Sequence, residues 1–266
     1  MSQIYVKSLT ASQAEACYSA FLQGALPQEG CVVTEGTHIY LLDALPPLPE
    51  GLGVPVNFGP VDWIHSLITS QIKSVLTYKE YIAGRRLPSG VALGATPEGI
   101  FIFSTDLWEP DLGQMSMFHL SFDPLEEVIT PQEASKLYHV DAKRIQADCE
   151  HAGEGQVFST KEVRHSGNTW LLLKRAAGHI YNEETPSSFA INPLLLVFST
   201  VEAASIWNRD SGSVRSAAGG AGHAAARMQG GDCRKSGRIW LVRREAMNRL
   251  FGQAIPEKMH EAMKQL

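Results

Sequence analysis

The stretch Val197–Gly252 reads VFSTVEAASIWNRDSGSVRSAAGGAGHAAARMQGGDCRKSGRIWLVRREAMNRLFG, and its parsing decides the fold. Ser199-Thr200-Val201-Glu202-Ala203-Ala204 is a helix start, with a hydroxyl cap and then a carboxylate in the first turn. Ala203, Ile206 and Trp207 fall at helical spacing and form one apolar face. Asn208-Arg209-Asp210 is a polar turn, and Ser211–Ser216 is a short, small and basic segment after it. Arg234-Lys235-Ser236-Gly237-Arg238 predicts a β-hairpin turning at Ser-Gly, with Ile239–Val242 as the returning strand. Arg244–Phe251 predicts a closing amphipathic helix ended by Gly252.

The same pattern stands about seventy positions earlier, over Val128–Asn182. Ile129–Tyr138 lies over Phe198–Trp207, with Glu133 on Glu202, Ala134 on Ala203 and Tyr138 on Trp207. Ile145 matches Val214, and Val163–Leu172 lies over Cys233–Val242 with Ser-Gly and Trp in register. Ala176, Ile180 and Tyr181 match Ala246, Leu250 and Phe251. The matched positions are the caps, turns and apolar residues that a shared fold requires.

Helix, turn, helix, basic hairpin, helix is a winged order. With Ser199-Thr200…Glu202-Ala203-Ala204, Val214-Arg215 and Arg234–Val242, the chain resembles the small winged helix-turn-helix domains of the MerR and excisionase type. The resemblance covers the C-terminal half. It implies a second helix that enters the DNA major groove and a hairpin wing that touches the backbone or minor groove. In this chain Gly212 and Gly219-Gly220-Ala221-Gly222 interrupt the would-be reading helix of the second copy, and glycine weakens a helix. That predicts a worn second copy. The first copy, Asp141–Asp148, has no internal glycine.

The expected architecture is α+β: an acidic domain over 1–127, one winged repeat over 128–184, and a linker with the second repeat over 185–266. The expected partner is double-stranded DNA. Lys143, Arg144, Arg164, Arg215, Arg234, Lys235 and Arg238 are candidates for phosphates. Gln146, Asn168, Ser213 and Arg215 are candidates for base edges, since Gln, Asn and Arg suit bidentate contacts. Trp170 and Trp240 read as core.

Composition is globular, with 44% hydrophobic and 19% charged residues, which excludes wholesale disorder. Residues 1–127 hold five basic side chains against fourteen acidic ones; the remainder holds eighteen against fourteen. A basic C-terminal half suits a polyanion, whereas the acidic half has another task, such as binding a protein partner. An alternative function follows: a phage-type anti-defence inhibitor or adaptor, similar to anti-CRISPRs only in broad composition.

The start, Met1–Lys7, lacks a basic-then-apolar leader, and no apolar run reaches membrane-span length. Four dispersed cysteines fit reduced thiols, so a cytoplasmic protein without a membrane is expected. GxxxxGK[ST], HExxH and GxSxG do not occur, so no enzyme, cofactor or metal is expected. Cys149-x-His151 with His139, His165 and His179 matches no ligand spacing, and Asp106, Glu109 and Asp111 read as an acidic loop. Helices are further expected over Ser8–Leu26 and Val61–Ala83. Strands are expected at Cys31–Thr34, His38–Leu42, Val91–Leu93, Gly99–Phe103 and Ser116–Phe122.

Overall fold

A computed structural model describes all residues except 1–2, 37, 46–89, 106–109, 154–156, 186–190, 223–224, 253 and 265. The long helix expected over Val61–Ala83 lies outside the described residues, as do Asp106 and Glu109 of the acidic loop. The chain divides into two compact units, Met1–Ser121 and Phe122–Leu266.

The first unit is a mixed sheet with a helix. Strands β1 (Gln3–Lys7), β2 (Cys31–Glu35), β3 (His38–Leu42), β4 (Val91–Thr96), β5 (Gly99–Ser104) and β6 (Ser116–Met117) lie in the order β5-β4-β2-β3-β1-β6. Among the described strands of this sheet, only the β1–β3 pairing is parallel. Helix α1 (Ala11–Gln23) leads from β1 into β2, and the β2–β3 hairpin then brings β3 alongside β1 in the same direction. Thr10 starts it with a reciprocal capping box to Gln13, and Gly24 ends it in the left-handed region. Its buried face is Ala14, Cys17, Tyr18, Phe21 and Leu22. Two expectations shift here. Gln3–Lys7, read only as lacking a leader, is a paired strand, and of Ser116–Phe122 only the first two residues are strand, with the Phe118 N–H still donating to the Ile4 carbonyl (2.9 Å).

The second unit holds the duplication. Its first copy runs α2 (Pro124–Glu127), β7 (Val128–Ile129), α3 (Pro131–Tyr138), α4 (Ala142–Glu150), β8 (Val163–Ser166), β9 (Thr169–Leu173) and α5 (Lys174–Asn182). Its second runs from a 3-10 turn at Pro193–Leu195 through β10 (Val197–Ser199), α6 (Thr200–Ile206), α7 (Ser211–Gly219), β11 (Cys233–Ser236), β12 (Ile239–Arg243) and α8 (Arg244–Phe251). A last helix, α9 (Pro256–Met263), which the sequence reading missed, follows.

The two sheets have the same order, β7-β9-β8 and β10-β12-β11. Their hairpins share one register: Ser166 faces Thr169 as Ser236 faces Ile239, and Val163 faces Leu172 as Cys233 faces Val242. Each copy buries its own core. Ile129, Ala134, Ile145, Phe158, Leu171 and Leu172 are buried in the first. Phe198, Ala203, Val214, Met228 and Val242 are their counterparts in the second, with Leu241 joining the first core.

The same aromatic position ties each copy to its closing helix. Tyr138 donates its hydroxyl to the Lys174 carbonyl (3.0 Å), and Trp207 donates Nε1–H to Asn248 Oδ1 (3.1 Å). Trp170 and Trp240 are partly buried against these cores.

The second helix of the second copy forms in full despite its glycines. α7 is nine residues long, as is α4. Asp210 caps it, accepting from the Ser213 N–H (2.9 Å). Gly212 falls in the first turn, where it costs little, and Gly219 closes the last. A Cβ at Gly219 would sit 2.9 Å from Trp240 Cζ2, so here glycine is a packing requirement.

Candidate nucleic-acid interface and the interlock of the two repeats

Each second helix buries one face and exposes the other. On α4, Ile145 and Cys149 are buried, whereas Lys143, Arg144 and Gln146 are exposed. On α7, Val214, Ala217 and Ala218 are buried, whereas Ser213 and Arg215 are exposed. Asn168, Lys235 and Arg238 are exposed on the hairpins. Lys235 Nζ lies over the Trp240 ring, 5.3 Å from its centre. Gln146 donates to Glu150 (3.0 Å), a contact it must release to reach a base.

Arg164 and Arg234 behave otherwise, and the expectation of phosphate contacts is corrected for both. Arg164 is fully buried. Its guanidinium pairs with Glu202 and donates to the carbonyls of Leu194 (3.0 Å) and Val197 (2.6 Å), all in the other repeat. Arg234 does the same in reverse, on Glu133 (2.9 and 3.0 Å), Val128 (2.8 Å) and Leu125. Leu125, Val128 and Glu133 are the repeat counterparts of Leu194, Val197 and Glu202. Both guanidiniums are spent inside the protein, so neither reaches a phosphate.

The serine two residues on completes each latch. Thr130 and Ser199 cap α3 and α6, accepting from the N–H of Glu133 (3.4 Å) and Glu202 (3.2 Å). In an ordinary capping box the glutamate would reach back to the cap's own N–H. Here a wing serine of the other repeat stands between. Thr130 N–H donates to Ser236 Oγ (3.0 Å), which bonds onward to Glu133. Ser199 N–H donates to Ser166 Oγ (3.0 Å), which bonds onward to Glu202. The glutamate is thereby turned outward to meet the arginine.

The hairpin tips need glycine for this seat. Gly167 and Gly237 both have φ +63°. A Cβ on Gly167 would meet Val201 at 2.9 Å, and one on Gly237 would meet Gln132 at 3.4 Å. The sequence did carry the signal: Arg-x-Ser-Gly at the hairpin turn and Ser/Thr-x-x-Glu at the helix start stand at matching positions in both copies. It was missed because a basic hairpin reads as a DNA wing.

The repeated helix–turn–helix with its hairpin is matched by a family model described as a helix-turn-helix domain, over residues 117–186 and 191–255. The chain belongs to this helix-turn-helix family. Membership makes DNA the expected ligand of the helix-turn-helix units. No match was found among curated proteins or among solved structures.

The other motifs take structural places. His151 Nδ1 lies 2.8 Å from the Ala147 carbonyl at the end of α4, and His179 Nδ1 lies 2.9 Å from the Glu184 carbonyl. Cys149 is buried, and burial, reinforced by Asp148 and Glu150, pushes its thiol up to about 12. Asp111 accepts from the Gly113 N–H (3.0 Å) in a short 3-10 turn. Among the described residues no group of His, Cys, Asp or Glu could hold a metal ion, and no helix is long and apolar enough to cross a membrane.

Proposed function

We propose that this chain is a DNA-binding regulator of the MerR/excisionase type whose two repeats meet double-stranded DNA through α4 and α7. The observation that carries this is the pair of exposed polar faces, Lys143–Arg144–Gln146 and Ser213–Arg215, on the second helices of two helix-turn-helix units. Lys143 and Arg144 supply phosphate charge; Gln146 and Arg215 supply base-edge donors. Asn168, Lys235 and Arg238, exposed on the hairpins, are further candidates. Gel shifts across a salt series with the full chain test the reading. Binding weakens steeply with salt, and Lys143→Ala with Arg144→Ala lowers affinity on every sequence.

A second reading has its own observation. Arg164 and Arg234 of the wings are consumed by the other repeat, and Asp141 and Glu150 flank the exposed face of α4. With the acidic first unit, this suits a protein-binding adaptor or an anti-defence inhibitor. Absence of any shift at low salt moves the function to that reading.

A further inference from the structure

We infer that the DNA site of this chain is an inverted, imperfect repeat, with the two half-sites held at one spacing by the interlock. This rests on the DNA-binding reading above and specifies the ligand it requires.

The argument begins with the symmetry of the latches. The wing of the first repeat seats on the start of α6, and the wing of the second seats on the start of α3. Arginine, serine, glutamate, hydroxyl cap and two carbonyls recur at matching positions on both sides. A contact in which each body offers the same patch to the other is isologous, and it relates the bodies by a two-fold rotation. Two modules in head-to-tail order would show one seated wing and one free wing. Both wings are seated, so a head-to-tail order is excluded.

A two-fold that relates the modules also relates α4 to α7. Bodies related in that way read half-sites of opposite direction, because protein two-fold symmetry is mirrored by palindromy in the site. Direct repeats would need a translation between the modules, which the reciprocal latches forbid. The palindrome is imperfect because the readers differ: Lys143, Arg144 and Gln146 on one side, Ser213 and Arg215 on the other. Spacing is fixed by the buried Arg164–Glu202 and part-buried Arg234–Glu133 contacts, not by residues 183–192 that join the repeats.

The test is selection of the full chain on a random-sequence duplex library, followed by footprinting of the best site. The expected result is two inverted, non-identical half-sites at a single spacing. Arg144→Ala then loses protection over one half-site and Arg215→Ala over the other, each with about ten-fold weaker binding. Lengthening the 186–190 segment by five residues leaves the selected spacing unchanged. Direct repeats, a single half-site, or a spacing that follows the segment length overturns this inference while leaving DNA binding intact. Failure to enrich any DNA, with no gel shift at low salt, overturns the DNA reading and this inference together.

Discussion

The two latches are built from the same residues but sit in different amounts of water. Arg164 is sealed: its side chain is 0% exposed, its partner Glu202 is 8% exposed, and its guanidinium lies over the Phe198 ring, 5.1 Å from the centre. Arg234 keeps 18% of its side chain exposed and Glu133 keeps 24%. Val201 closes over the tip of the first wing, whereas Gln132 borders the second. One hydrogen-bond pattern therefore carries two energies. Removing one partner of a sealed ion pair strands a charge that water cannot reach, and a half-open pair lets water replace what is lost.

The largest expected effect breaks the comparison if it fails. Arg164→Ala should cost about 3–5 kcal/mol, by leaving the buried Glu202 without its counter-charge and two carbonyls without the guanidinium donor. Arg234→Ala should cost about 1.5–3 kcal/mol, the range for hydrogen bonds to a charged group. Denaturant unfolding of both variants measures the gap, and equal losses would refute the difference in sealing. The wing tips come next. Alanine at either Gly167 or Gly237 takes on a left-handed backbone worth about 1–3 kcal/mol. Gly167→Ala adds the collision with Val201 and should lose more than Gly237→Ala in the same assay.

A smaller effect separates the repeats by pH. Cys149 lies in the first core where Ala218 stands in the second. Folding favours its neutral thiol, with a value raised from 9.0 to about 12. That contribution is complete below pH 9 and fades as pH rises towards 12, since the unfolded chain then ionises more readily. Cys17 and Cys31, in the first unit, are pushed by burial to about 11 and about 12 and act in the same direction. Cys149→Ala should flatten part of the decline in stability between pH 9 and 12. The smallest effect is kinetic: at neutral pH a thiol reagent should label part-exposed Cys233 before the three buried cysteines.

What the sequence made legible was what a single copy needs. Caps, apolar spacing and Ser-Gly turns lie within a few residues of one another, so the order helix, turn, helix, hairpin, helix could be read directly in both repeats, whereas α2 and the short strands β7 and β10 could not. The contact between copies joins Arg164 to Glu202 and Arg234 to Glu133, far apart in the chain, and no local periodicity reports it. A basic residue in a hairpin has two fates, phosphate or buried carboxylate, and composition does not separate them. Gly219 misled for a related reason: its helical cost is local, and its justification is a Trp240 ring on another element. The exposure of Lys143, Arg144, Gln146, Ser213 and Arg215 was legible because they fall opposite buried positions on a 3.6-residue period.

The serine inside each capping box has a consequence for assembly. Two separate chains making these contacts would form a homodimer, whose partners drift apart on dilution. Joined end to end, they meet at an effective concentration set by the connecting residues alone. The pairing therefore survives at a few copies per cell, where a self-associating single module would be mostly apart. Joining also frees each half to change its exposed face without spoiling the other's, an option that identical subunits encoded once never have.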